Sequence, residues 1–309
     1  FVIMRNTPGG PWDTDADRRQ VDASTQKALN AYYGLDKPMW RQFLAYAIGD
    51  TNREGKFVCG MMCGNLGPSY RQRGRTVQDI LFSPPEDESF LKSRFGYSVR
   101  LGLFALGIAI VVGIPLGILT ALKQNTIYDY VGMFISTVGV SLPSFVMAIF
   151  LIIIFASWLH WVSVIPTSWD TPKAWIIPAL VLGFTTTAYT ARLTRSAMLE
   201  AMRQDYIRTA RAKGLGEWIV VIRHMLKNAL IPVITILGPA LAALVTGSFI
   251  IETIFGFPGM GRAYVQSIFQ RDYSMIMGTT VIYALLVAVA NLSVDILYGF
   301  IDPRIRVEE

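Results

Sequence analysis

The sequence predicts an all-α integral membrane protein, a polytopic helical bundle carrying a small external subdomain. Three observations lead there. The 309 residues are 52% hydrophobic and only 16% charged, whereas soluble domains are about one quarter charged. The charges are segregated, crowding into some stretches and leaving long runs with none. Lys and Arg fall between the apolar runs, as charge bias at a membrane face requires. A net charge of +6 would suit a nucleic acid only if those cations shared one groove-facing surface, so no nucleic-acid partner is expected.

Four runs lack any charged residue over lengths that cross a hydrocarbon core of roughly 30 Å, for which about 20 residues suffice. They are 101–122, 131–159, 229–251 and 273–294. A fifth, 174–191, is shorter and more polar, with Thr185, Thr186 and Thr187 together. With flanking residues the expected spans are 98–122, 131–159, 174–193, 229–252 and 273–296, within a membrane domain of residues 98–301. Residues 1–4 read as the end of a preceding apolar run: either a first span, making six, or the remnant of a cleaved signal peptide.

Loop charge sets the orientation, because Lys and Arg near span ends are retained in the cytoplasm. The loop 192–228 holds Arg192, Arg195, Arg203, Arg208, Arg211, Lys213, Arg223 and Lys227 against Glu200, Asp205 and Glu217. The opposing short loops are far poorer, so this loop is read as cytoplasmic, with the tail 302–309 on the same side. Residues 5–97 are then external. They are polar, carry turn signals such as Pro84-Pro85, and hold two helix-forming stretches at 23–33 and 39–48.

Cys59 and Cys63, the only cysteines, fall in this external segment. An oxidising compartment permits a disulfide if the turn brings the two Cα atoms close enough. Free thiols and a metal site are the other readings, the last the weakest because zinc wants four ligands and no His is near. No metal is expected.

Within the basic loop, 197–213 is free of Pro and Gly and is read as one helix. Met198, Met202, Tyr206 and Ala210 would share one face, and Gln204, Arg208 and Arg211 another. Gly214 would stop the helix as a C-cap glycine, with a second helix starting near Glu217. On physical grounds alone the helix either rests on anionic lipid or docks into a partner.

The residues Asp205-Tyr-Ile-Arg-Thr-Ala-Arg-Ala-Lys-Gly-Leu215, followed by Arg223-His224 and Asn228-Ala-Leu-Ile-Pro232, resemble binding-protein-dependent ABC permeases. The likeness is to the oligopeptide/dipeptide/nickel subfamily, in its first-permease branch. It extends through Pro8-Gly9-Gly10-Pro11, Gly34-Leu-Asp-Lys-Pro38, Asn65-Leu-Gly-Pro-Ser69, Ala121-Leu-Lys-Gln-Asn125 and Ser141-Leu-Pro-Ser-Phe145. It continues through Gly247-Ser-Phe-Ile-Ile-Glu252, Gly256-Phe-Pro-Gly-Met-Gly261, Arg271-Asp-Tyr273 and Asp302-Pro-Arg304. The stretch 50–64 looks longer than its counterpart in relatives. The resemblance implies the type I ABC importer permease fold, six spans in the full protein, and a first span before Phe1 in preference to a signal peptide. It further implies that the loop fits a groove on a cytosolic ATPase. Thr209-Ala210-Arg211 would stand in place of the family's Glu-Ala-Ala triplet, with Gly214 as its glycine. The coupling residues so assigned are Met202, Asp205, Tyr206, Arg208, Thr209, Ala210, Arg211, Ala212, Lys213, Gly214 and Leu215.

No G-x-x-x-x-G-K-[ST] phosphate loop occurs, nor H-E-x-x-H or G-x-S-x-G, so the chain is expected to be a non-catalytic subunit. ATP and Mg would be bound by partner ATPases, two subunits or one fused pair, and by this chain no cofactor. The other partners implied are a second homologous permease, an extracytoplasmic solute-binding protein and the bilayer of a bacterial inner membrane. Prolines inside spans bend helices and free backbone carbonyls. Ser141, Pro143 and Ser144 are the candidates for the translocation path, with Glu252 at the outer end of the fifth span. Peptides are the expected cargo; nickel or oligosaccharides are the alternatives within this architecture. An intramembrane enzyme or a stand-alone channel is the remote one, since an enzyme would need ionisable groups in spans that are nearly charge-free.

Overall fold

The computed structural model describes residues 1–8, 10–12, 22–51, 55–86, 88–246 and 249–301, the side chains of 246 and 297–301 excepted. The expected tail 302–309, with its Asp302-Pro-Arg304 motif, lies outside the described residues, as do Gly9, Gly247 and residues 52–54 of the long external stretch. The chain divides into two compact units: Phe1–Tyr97 with Pro258–Ala284, and Ser98–Phe257 with Leu285–Glu309. Residues 258–284, which the sequence reading placed within the membrane domain, cluster with the first unit.

In the first unit α1 (Val2–Asn6) precedes α2 (Ala23–Tyr33) and α3 (Met39–Ala47), the last two where helix-forming composition places them. Asp22 caps α2 by accepting from the Thr25 amide, and Gly34 closes it in the left-handed conformation. Strands β1 (Gly49–Thr51) and β2 (Phe57–Cys59) pair antiparallel, Asp50 facing Val58. Cys59 and Cys63 are joined by a disulfide, with their Cα atoms 5.9 Å apart. Helix α4 (Val77–Phe82) begins with a Thr76–Asp79 capping box.

The motif residues of this unit are structural. Asp272 accepts from the Ser69 hydroxyl at 2.5 Å and from the amides of Tyr70 and Met275, both at 3.2 Å. One carboxylate therefore ties the turn at 69–71 to the start of the last helix. Trp12, Tyr70 and Tyr273 bury their rings together, and the Trp12 indole donates to Asn30 at 2.8 Å. Asn65 holds the adjoining turn by donating to the Cys59 carbonyl and accepting from the Gly67 amide.

The long apolar helices are α5 (Arg94–Leu122), α8 (Pro172–Met202), the span Glu217–Ile254 and the last, Tyr273–Ile296. Residues 247–248 of the third lie outside the described residues; its main helix, α10, is Leu226–Thr246 and is followed by α11 (Phe249–Ile254). Two departures from expectation are informative. The stretch read as one span at 131–159 is two helices, α6 (Ile127–Ser141) and α7 (Ser144–Trp158), bent by 112°. Pro143 forces this: Leu142 before it is pushed to extended backbone, φ −83 and ψ 128, and the proline supplies no amide to continue the ladder.

The second departure is that 174–191, the least apolar of the five, belongs to a helix of 31 residues whose apolar window is the most buried of the four long helices. Helix α8 packs against the second half of α5 and against α6, α7 and α10. Thr187, Thr190 and Thr194 are buried among these helices, so they need not be apolar. Gly113 and Gly117 of α5, one helical turn apart, make the approach possible. A Cβ on Gly113 would lie 2.8 Å from the Thr187 carbonyl oxygen, and one on Gly117 2.5 Å from that of Ala191.

Candidate functional site

Helix α8 ends at Met202, and the loop that follows is not the single helix 197–213 expected from composition. Gln204 is extended, φ −73 and ψ 146, and α9 (Asp205–Ala212) starts afresh after it. Met202 thus belongs to the long apolar helix and the ten residues Asp205 to Leu215 other than Ile207 belong to the short one and its end. Asp205 in the first turn of α9 favours this start, since an acid complements the helix N-terminus. At the other end Gly214 adopts φ +75. The Gly214 amide donates to the Arg211 carbonyl at 2.9 Å and the Leu215 amide to that of Ala210 at 3.4 Å. This is the Schellman arrangement that a glycine in the left-handed region allows.

The break rotates α9 relative to expectation. Ile207 and Ala210 turn inward, buried with Ala121, Met198, Ala201, Val220, Val221, Met225 and Ala229. Tyr206, expected on the face of Met198, is exposed. Its hydroxyl accepts from the Asn228 amide group at 2.8 Å. Apolar contacts therefore fasten the short helix to the ends of α5, α8 and α10 at once. Asp205, Arg208, Thr209, Arg211, Ala212, Lys213, Gly214 and Leu215 remain on the outside.

The outward face is partly self-paired. Arg211 grips Glu217 with two bonds, Nε–Oε1 2.7 Å and Nη2–Oε2 3.2 Å, drawing the glycine turn closed. The Arg208–Asp205 pair at 3.6 Å is almost fully in solvent and contributes little. Trp218, beyond the turn, is 77% exposed. Sequence reasoning missed Ile207, Glu217, Trp218 and Asn228. Only Trp218 carried a signal of its own, a large aromatic beside a charged loop; the others acquire their roles through partners elsewhere in the chain.

Beside the loop, Asp129 in the first turn of α6 receives two bonds from Arg195 of α8, 2.6 and 2.8 Å, and one from the Asn125 amide at 3.0 Å. The Asp129 side chain is 4% exposed. Asn125 itself adopts φ +60, so Asp129 fixes the turn after α5 as well as pairing α6 with α8.

Of the translocation-path candidates, Ser141 and Pro143 are exposed at the α6–α7 bend and Ser144 is half-buried. Glu252 in α11 is fully buried and accepts from the Ser98 hydroxyl at 2.7 Å; α11 packs against the first part of α7. Glu252 thus stands in this structure as a buried helix-packing group.

Apolar helices with close-packed glycine and threonine seams, and a short polar helix clasped to the ends of three of them, define a membrane permease subunit. The chain belongs to the family of binding-protein-dependent transport system inner membrane components, whose sequence profile matches residues 113–307. It is 39% identical over 310 residues to the dipeptide transport system permease protein DppB of Bacillus subtilis, covering 100% of this chain and 92% of that one. It is 36% identical over 306 residues to the oligopeptide transport system permease protein OppB of Haemophilus influenzae, covering 99% and 92%. In fold it resembles a chain of the inward-facing MetNI methionine ABC transporter, with a TM-score of 0.56 at 18% identity over 68% of this chain and 94% of that one. A second structural relative, an amino acid ABC transporter, gives 0.52 at 17% identity over 65% and 88%. The fold is that of type I ABC importer permeases, and the chain is a permease subunit of that class.

Proposed function

We propose that this chain forms half of the translocation pathway of an ATP-driven importer of peptides, delivered by an external solute-binding protein. The observation that carries the cargo class is the full-length likeness to dipeptide and oligopeptide permeases. A second homologous permease supplies the other half, and two cytosolic ATPases, or one fused pair, supply the drive. ATP and Mg bind to those ATPases, and this chain holds no cofactor.

The loop is the point of coupling, with α9 and its glycine end (Asp205 to Leu215) seated in a groove of the ATPase. Its construction supports this reading. A helix of eight residues too short and polar to cross a membrane presents a charged face outward, while Ile207 and Ala210 lock it to three long helices. Force on the docked face then reaches α5, α8 and α10 without an intervening flexible joint. Ser141, Pro143 and Ser144 are assigned to the pathway because the bend leaves them accessible.

Reconstitution of the chain with its partner subunits in proteoliposomes tests the reading. ATP-dependent uptake of labelled di- to pentapeptides is expected, with no uptake when the ATPases are omitted. Uptake of nickel or oligosaccharides with none of peptides would replace the cargo assignment, and uptake without any ATPase would overturn the class.

A further inference from the structure

We infer that Thr185, Thr186 and Tyr189 form a station of hydroxyl groups halfway along α8 that hydrogen-bonds the backbone of a peptide crossing the membrane. The cargo follows the importer reading above, on which this inference rests. The three side chains line a cavity of about 230 Å³ with Val140 of α6 and with Ile236 and Ala240 of α10. Thr185 and Thr186 are half-buried and Tyr189 is exposed, so the cavity is open to an occupant. Its described lining holds no Asp, Glu, Lys, Arg or His. What singles these hydroxyls out is what they leave unbonded. A Ser or Thr inside a helix can satisfy its hydroxyl by donating to the carbonyl four residues back. Thr187, next in the chain, donates to Gly183 at 2.7 Å. Thr235 on α10 donates to Ile231 at 2.9 Å, and on the last helix Thr280 donates to Ile276 and Ser293 to Val289, both at 2.7 Å. Thr185, Thr186 and Tyr189 have no hydrogen-bond partner among the described residues. Thr190 and Thr194 also lack one, but they are fully buried against Gly113 and Gly117 of α5 and reach no cavity occupant.

Depth and chemistry fit a peptide backbone. Within α8, Pro172–Met202, Thr186 stands roughly 21 Å from the first residue and roughly 24 Å from the last, in the middle of the span. A peptide that leaves water there carries amide N–H and C=O groups, which cost free energy unless they are hydrogen-bonded. A hydroxyl both donates and accepts, so it serves either group at any position along the cargo. A neutral lining neither selects nor traps a charged side chain. The Tyr189 ring is braced by Arg192, whose guanidinium lies 5.7 Å from the ring centroid. Val140 continues the wall along α6: Thr137, Val140 and Ser141, at positions i, i+3 and i+4, share one helix face, and Thr137 and Ser141 are exposed. The bend at Pro143 ends α6 at this level, which brings the pathway candidate Ser141 next to the cavity wall.

The test compares Thr185→Val/Thr186→Val/Tyr189→Phe with the wild type, each assembled with its partner subunits in proteoliposomes and supplied with saturating, loaded binding protein. The cargo is a short peptide or the same peptide methylated at its backbone nitrogens, which removes the N–H donors. The wild type should move the ordinary peptide about fivefold faster than the methylated one, the worth of one neutral hydrogen bond. The triple variant should narrow that ratio to below about twofold, and Thr186→Ser, which keeps its hydroxyl, should preserve it. Equal slowing of both peptides would assign the hydroxyls to packing and overturn the station, as would unchanged uptake by the triple variant. Absence of any peptide uptake by the wild type would instead refute the cargo reading, and the inference with it. A second measurement does not depend on transport rates. Thr186→Cys adds one thiol to a chain whose two cysteines are paired. A hydrophilic maleimide should label that position in the assembled transporter, and more slowly during peptide turnover. Labelling by a lipid-soluble maleimide alone would give the cavity to a lipid chain and overturn the station.

Discussion

Substitution of Gly214 separates the geometry of the coupling loop from its mere presence. Its φ of +75 lies in the left-handed region, and a Cβ built there meets nothing within 4 Å. A side chain therefore costs only backbone strain and no clash: about 1–2 kcal/mol for an ordinary L residue, and less for Asn, which visits this region with local help. Gly214→Asn should be close to neutral and Gly214→Ala about 1 kcal/mol worse. Gly214→Val should fall nearer 2 kcal/mol, because a β-branched residue is a genuine outlier there. Gly214→Pro is different in kind. It fixes φ near −65° and removes the amide that donates to the Arg211 carbonyl, so the turn cannot form. If the closed turn competes with an open one, these strains lower the docked population by roughly fivefold for Ala and thirtyfold for Val. Peptide transported per ATP hydrolysed in proteoliposomes, alongside ATPase retained on affinity-tagged permease, gives the readout. The expected order is Gly, Asn, Ala, Val, Pro, with Pro inactive though membrane-inserted. Equal activity of Asn and Val, or normal uptake by Pro, would refute the requirement for the left-handed turn.

Three further outcomes follow from the same reasoning. Ala210 is buried beside Met198, Ile207 and Val220, so Ala210→Arg should abolish ATPase retention while the chain still inserts; Thr209→Arg, on the exposed face, should leave the loop's packing intact. Arg195→Leu would strip Asp129 of two bonds and leave a buried carboxylate with the Asn125 amide alone. We expect about 2–4 kcal/mol of lost stability, below the full cost for a buried pair because Arg195 keeps some exposure; in a double-mutant cycle with Asp129→Asn, additive losses by thermal denaturation in detergent would dismiss the coupling. The Ser24 hydroxyl, with the Thr25 side chain and amide, holds Asp22 down to about 2 from 3.8. A folded-state value below the unfolded one contributes stability that is complete above about pH 4 and is lost as pH falls through about 2. Amide exchange in 23–33 should rise across that window in the wild type, and Asp22→Asn should remove the dependence.

What the sequence disclosed and what it withheld divide along the range of the interactions involved. The apolar runs and the left-handed stop at Gly214 are local properties, and each is where composition puts it. The break at Gln204 was not legible, because 197–213 contains no residue that forbids helix. It arises because Ile207 and Ala210 satisfy a core assembled from Ala121, Val220 and Met225, and tertiary burial outweighs a propensity difference of at most about 0.7 kcal/mol per residue. The bend at Pro143 was legible in principle, but a hydropathy window reads through a proline, since the residues on both sides are equally apolar. Polarity misled in the opposite direction at 174–191: Thr187 and Thr190 are buried against other helices, so the run that looked least like a span is the most buried of the long helices.

Arg195 shows how such long-range partners bear on an argument made from charge. It was counted among the cations that orient the loop, yet its charge is matched by Asp129, 66 positions away, and that of Arg211 by Glu217. With both pairs removed from the loop's tally, Arg192, Arg203, Arg208, Lys213, Arg223 and Lys227 still stand against Glu200 and Asp205. Retention in the cytoplasm depends on Lys and Arg near span ends and only weakly on acids, so the orientation expected from sequence does not depend on the two paired cations.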